Sequence, residues 1–149
     1  GLLSEAGCPA VADPGANLVA LAQQEHIRVA PLIGPSSLLL ALMASGLNGQ
    51  CFAFHGYLPA KEAERAKALR DLESESRARR QTQIFIETPY RNQPLFATAL
   101  QVCDPATRLT LATDLTLPGE SVVTRTIRQW KKQTPPAIER RPTVFLLLA

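Results

Sequence analysis

Histidine is scarce in this chain. Only His26 and His55 occur, too few for a histidine-rich metal site, and no metal is expected. Cysteine is scarce too: Cys8, Cys51 and Cys103 are odd in number and far apart, so they build no CxxC pair, zinc knuckle or disulfide framework. Free thiols fit a reducing cytoplasm, which is the expected compartment. Long apolar runs are missing. The longest, Leu38 to Ala44, falls far short of the ~18–20 residues that a membrane-crossing helix needs, so no membrane partner is expected. No basic-then-apolar leader opens the chain, and Gly1-Leu2-Leu3 reads instead as the interior of a longer protein. Familiar catalytic signatures are also absent: there is no GxSxG elbow, no GxxxxGK phosphate loop, no HExxH and no GxGxxG.

What remains is a globular composition. The chain is 46% hydrophobic and 19% charged, and its 149 residues suffice for a real core. Net charge is +3, with basic residues gathered around Arg65 to Arg80 and around Arg125 to Arg141. Such clusters permit an anionic or nucleic-acid partner, but solvated helix faces and loops are their simpler reading.

The pattern alternates strands and helices, the grammar of an α/β fold. Leu2-Leu3 reads as the end of a buried strand. Asp13 is placed as a helix cap with Pro14 after it, and Leu18, Leu21 and Ala22 share one face of a helix to Gln24. Ile27 to Ala30 reads as a short strand. A loop, Pro31 to Ser37, launches a second helix with Ser36 as cap; being apolar all round, this helix is expected to be buried on most sides. Gly46 stops it. Then come a strand Cys51 to Phe54, a turn Gly56 to Pro59, and a helix Lys61 to about Ser76 with Ala63, Ala66, Leu69 and Leu72 inward. Glu73/Arg77 and Glu75/Arg79 have the favourable four-residue order. A strand Gln83 to Ile86, a helix Asn92 to Leu100 with Leu95, Phe96 and Ala99 inward, and strands Arg108 to Ala112, Val122 to Thr126 and Thr143 to Leu148 follow. A domain boundary is expected near residue 49, with 1–49 the tail of one α/β domain and 50–149 a complete smaller one.

Four segments of small or polar residues follow expected strands, where ligands bind in open α/β sheets. Ser4 to Gly15 lets a ligand approach the backbone closely, though an ordinary strand-to-helix turn would read the same. Ile33 to Ser37 offers free N–H groups at a helix start, or is a plain helix cap. Glu87 to Arg91 sets a carboxylate, a phenol and a guanidinium within five residues; taken alone, a surface ion pair with a proline stop is the slightly better explanation. Ala112 to Ser121 is uninformative alone.

Taken together and in order, these segments resemble the tetrapyrrole-methylase superfamily, most of all its branch that includes the small-subunit ribosomal RNA cytidine 2′-O-methyltransferase. Ser4 to Gly15 is similar to that branch's S-D/E-A-G-T/C-P-x-I/V-S/A-D-P-G segment. Pro31 to Ser37 is similar to its P-L-P-G-P-S turn, Ala44-Ser45-Gly46-Leu47 to its A-S-G-L helix end, Gly56 to Pro59 to its G-F/Y-L-P, and Glu87 to Arg91 to its E-S/T-P-H/Y-R. The resemblance implies two α/β domains with S-adenosylmethionine in the cleft between them, a homodimer, and methyl transfer to ribosomal RNA or, in a paralogue, to another acceptor. It implies donor contacts from Ala6, Gly7, Cys8, Val11, Ser36, Ser37, Leu115 and Pro142, with Glu87 the candidate base and Arg91 its orienter. The chain departs from the branch pattern at Tyr90, where histidine is usual, at Thr113 to Leu117, where R-E-L-T-K is usual, and through the tail from Trp130 to Pro142. The competing reading is a nucleic-acid-binding or dimerisation module without chemistry of its own.

Overall fold

In a computed structural model, residues 1–4 and 7–149 are described. The elements are α1 (Ala16–Gln24), α2 (Ser37–Ser45), β1 (Phe52–Tyr57), α3 (Glu62–Arg79), β2 (Thr82–Ile86), a 3-10 turn (Pro89–Arg91), α4 (Asn92–Val102), β3 (Arg108–Thr113), β4 (Ser121–Thr126), α5 (Ile127–Trp130) and β5 (Thr143–Leu148). The strands form one sheet in the order β1-β2-β5-β3-β4. β1 and β2 run parallel, while β5 is antiparallel to both β2 and β3, and β4 to β3.

The run Thr143-Val-Phe-Leu-Leu-Leu148 is apolar without alternation because β5 sits mid-sheet with both faces covered. Its residues divide by parity. Phe145 and Leu147 join Leu69, Leu72, Leu95 and Phe96 beneath α3 and α4, whereas Val144 and Leu146 join Ala41, Leu42 and Ile84 beneath α2. On the first face, Phe85 stacks on Phe145 with ring centroids 5.7 Å apart, and Trp130 meets Phe96 edge-on at 5.5 Å. The Trp130 indole N–H donates to the Leu109 carbonyl at 2.8 Å, so a polar atom inside the core is satisfied. On the second face, Thr124 Oγ1 donates to the Ser45 carbonyl at 2.7 Å and ties the end of α2 to β4.

The second half follows its sequence pattern closely, with shifts of up to three residues at element ends and the short α5 added. The turn expected at Gly56 is the exception. Gly56 and Tyr57 belong to β1, which continues past a bulge after Phe54. In α3 only the later part of the expected stripe is buried: Leu69 and Leu72 are, while Ala63 is exposed and Arg65 takes an inward place, donating to Thr98 Oγ1 and to the Ala60 carbonyl. Glu75 pairs with Arg79 at 3.4 Å, but Glu73 turns inward and accepts from the Asp104 N–H and the Thr107 hydroxyl instead of pairing with Arg77.

The first 36 residues differ more. Neither Leu2-Leu3 nor Ile27 to Ala30 is a strand; both lack regular structure and are open, with Leu3 91% and Ile27 61% exposed. A strand needs a neighbour to take its backbone N–H and C=O groups, and no described strand lies beside either. The cap of α1 is Gly15, not Asp13, whose carboxylate accepts from Ser4 Oγ at 2.6 Å. Ser36 stands at the cap position of α2 without a side-chain capping bond. That helix buries one face only: Ala41 and Leu42 lie on the sheet, whereas Leu39 and Met43 are exposed.

Candidate functional site

Because β3 and β5 run antiparallel, the C-terminal end of β3 and the N-terminal end of β5 share an edge of the sheet with the C-terminal ends of β1 and β2. Thr113 and Thr143 mark the pairing, their hydroxyls 3.2 Å apart. A cleft of about 520 Å³ opens at this edge. Its size suits a small organic ligand, for which pockets of roughly 300–1,000 Å³ are usual.

Three walls bound it. The first is the turn holding Gly7, Cys8 and Val11 together with Ser36 and Ser37 at the start of α2. Cys8 Sγ lies 3.5 Å from the Pro35 carbonyl and bridges the two turns. The first N–H groups of α2 have no intrahelical acceptor, as in any helix, and stand beside the cleft. The second wall is Ile86-Glu87 at the end of β2 with Tyr57 at the end of β1. The third is Asp114 to Leu117 after β3, with Pro142 and Thr143 beside it.

Glu87 is the chemically distinctive member. Its side chain is wholly buried. Oε1 accepts three hydrogen bonds, from the Thr88 N–H at 2.7 Å, from Thr88 Oγ1 at 3.2 Å and from Arg91 Nη2 at 2.8 Å. Oε2 is buried with no partner among the described residues. A buried acceptor without a partner is costly, and Glu87 belongs to a residue set that lines the cleft. The hydrogen bond to Glu87 pushes the Arg91 pKa up, opposed by the desolvation of its guanidinium, with Glu87's charge a further raising cause. Arg91 also lies over the Tyr90 ring at 5.3 Å.

Gly7, Cys8, Val11, Ser36, Ser37, Glu87, Leu115 and Pro142 thus all line one cleft, although up to 135 residues separate them. Arg91 is not in the lining; it backs Glu87 from behind. Ala6 lies outside the described residues. Sequence reasoning assigned no role to Tyr57, Asp114 and Thr143, which also line the cleft. The strand-end rule could have found them, but only once the strand order was known. Among the described residues no helix is long and apolar enough to cross a membrane, and no group of three or more metal-ligating side chains occurs.

Open backbone at Gly7, helix-start N–H groups without intrahelical acceptors, and apolar walls from Val11, Leu115 and Ile86 suit a small organic ligand that carries an anionic group.

No family model matches the chain. It is 38% identical over 121 residues to ribosomal RNA small subunit methyltransferase I of Vibrio cholerae, covering 81% of this chain and 41% of that protein. The protein of the same name from Xylella fastidiosa is 34% identical over 147 residues, covering 99% of the chain and 52% of that protein. The chain therefore spans about half the length of the curated relatives it matches. Among solved structures, the methyltransferase CobJ superposes with a TM-score of 0.61 at 19% identity, over 95% of this chain and 61% of that one. Uroporphyrin-III C-methyltransferase from Thermus thermophilus, solved with S-adenosyl homocysteine, superposes with a TM-score of 0.52 at 17% identity, over 95% and 62%.

Proposed function

The chain belongs to the tetrapyrrole-methylase superfamily, on the side of the ribosomal RNA small subunit methyltransferase I proteins, and from that premise we propose that the whole protein is an S-adenosylmethionine-dependent methyltransferase acting on ribosomal RNA or another acceptor. The observation that carries this reading is the convergence of the turns around Cys8, Ser36, Glu87 and Leu115 on one cleft at the sheet edge. In this reading the protein works in the cytoplasm as a homodimer, and the boundary near residue 49 separates two domains. The exposed Leu39 and Met43 of α2 supply apolar area for a self-contact.

The donor supplies an electrophilic methyl group, and the chain's part is placement. Gly7, Cys8, Val11, Ser36, Ser37, Leu115 and Pro142 hold the donor. Bringing nucleophile and methyl into line accounts for most of the acceleration in such a displacement. Glu87 faces the acceptor: Oε2 accepts a hydrogen bond from the nucleophilic hydroxyl and orients it, and Arg91 fixes the carboxylate through Oε1.

Calorimetric titration of S-adenosylhomocysteine into the full-length protein tests the reading, and saturable binding is expected. Absence of binding at millimolar ligand would sink it. Glu87→Ala in the same protein is expected to lower methyl transfer far more than S-adenosylhomocysteine affinity; unchanged turnover would remove Glu87 from the chemistry.

A further inference from the structure

The third wall of the cleft has an unusual backbone. Asp114 and Thr116 adopt left-handed conformations, with φ of 51° and 69°. A β-branched residue such as threonine rarely does so, and the surroundings must hold it there. The holding group is Arg141, which does not itself line the cleft. Its Nε donates to Asp114 Oδ2 at 2.7 Å, its Nη2 to the Gly119 carbonyl at 2.7 Å and its Nη1 to the Ala137 carbonyl at 2.9 Å. Beside it the Asp114 N–H donates to the Pro142 carbonyl at 2.9 Å, and Glu120 Oε2 accepts from the Thr116 N–H at 2.7 Å. A planar guanidinium can serve three acceptors in fixed directions, which an ammonium cannot do.

Arg141 is itself anchored to the second wall. Asn92, wholly buried and next to Arg91, donates through Nδ2 to the Arg141 carbonyl at 2.8 Å and to the Ile138 carbonyl at 3.2 Å. The Arg140 N–H donates to the Pro89 carbonyl at 3.0 Å. Hydrogen bonds at Glu87–Arg91, Asn92–Arg141 and Arg141–Asp114, joined through the chain from Arg91 to Asn92 and within Arg141, therefore connect the second wall to the third. Both ends of the Arg141–Asp114 pair lie in segments where the chain departs from the branch pattern.

We propose that Arg141 is a positioning residue for the ligand cleft: with Asp114 it holds the strained Asp114-Leu115-Thr116 backbone in its ligand-ready shape and couples that wall to Glu87. The inference rests on the donor-site reading above. Gly119 provides a way to disturb the clamp from a position outside the cleft lining. A Cβ there would meet Arg141 Nη2 at 3.1 Å and Asp114 Oδ2 at 3.2 Å, wedging between the two charges, and Gly119 is not in the lining.

The test uses the full-length protein and two readouts, S-adenosylhomocysteine affinity and amide hydrogen exchange. Arg141→Ala is expected to bind about tenfold more weakly, and Gly119→Ala about threefold, as preorganisation is lost. In both, exchange at Thr116, Leu117 and Glu120 speeds up while Phe85 and Phe145 in the central strands keep their rates; a purely global destabilisation would move both sets. Parental affinity and unchanged loop exchange in the variants, with the parent still binding, overturn this inference alone. A parent that does not bind overturns the donor-site reading and the affinity claim with it, and loop exchange then reads the clamp by itself. If Arg141→Ala does not fold, Gly119→Ala carries the same decision.

Discussion

Helices α1 and α4 carry similar apolar patterns, Leu18, Leu21 and Ala22 in one and Leu95, Phe96 and Ala99 in the other, yet they meet different fates. None of the nine residues of α1 is buried, whereas Leu95, Phe96 and Ala99 are almost wholly so. The difference lies in what stands opposite. α4 rests on α3 and on the sheet face carrying Phe85, Leu109 and Phe145. α1 has no such surface among the described residues, and Leu18 and Leu21 stay 57% and 53% exposed. Periodicity marks the face a helix could bury; a partner surface decides whether it does.

The sharpest way to break this comparison is to truncate one leucine in each helix. Leu95→Ala should cost about 2–5 kcal/mol by leaving a cavity in a closed core. Leu18→Ala should stay within about 0.5 kcal/mol, as exposed substitutions do. Urea denaturation of the two variants reads both, and equal losses would mean that α1 is buried in solution.

The next effect concerns the cysteines of the two regions. Burial, with Glu73's charge adding and Arg70's opposing, pushes the Cys103 thiol up to about 12. The unfolded chain gives up this proton near the ordinary thiol range and the folded protein does not, so folding stability is full below about pH 9 and falls as pH rises from about 9 toward about 12. Cys103→Ala should flatten that part of an alkaline stability profile. Iodoacetamide at pH 8 should label Cys8 and Cys51, both partly exposed, well before Cys103.

A smaller loss tests the stop between the regions. Gly46 ends α2 in the left-handed conformation at φ 67°, so Gly46→Ala should cost about 1 kcal/mol. The smallest effect is expected at the exposed Lys67–Asp71 pair, 2.8 Å apart, where Lys67→Ala should change stability by no more than about 0.5 kcal/mol.

Legibility followed the same divide. All five strands of the sheet could be read from apolar or β-branched runs, and Thr143 to Leu148 is bounded as expected. The strands expected near Leu2 and Ile27 misled, since an apolar run says nothing of whether a neighbour exists to pair with it. Glu73 misled as well: its spacing to Arg77 was right for a surface pair, but the Asp104 N–H and Thr107 hydroxyl, more than thirty residues away, claim it. At the site, each turn was visible as a turn. That Tyr57 joins Glu87 there depends on the parallel pairing of β1 with β2, and that Thr143 does so depends on the register and direction of β5, neither of which a local pattern encodes.

The place of β5 also bears on how the chain reaches this shape. It is the last of the five strands in chain order yet lies between β2 and β3. While the polypeptide emerges from the ribosome, β1 can pair with β2 and β3 with β4, but the two pairs have no bond to each other until Thr143 to Leu148 arrives. Until then β2 and β3 each show a bare apolar edge, the state most open to mispairing with another chain. The sheet is complete only when its middle strand is in place, so the cleft, whose walls stand on both pairs, needs that strand to have been made.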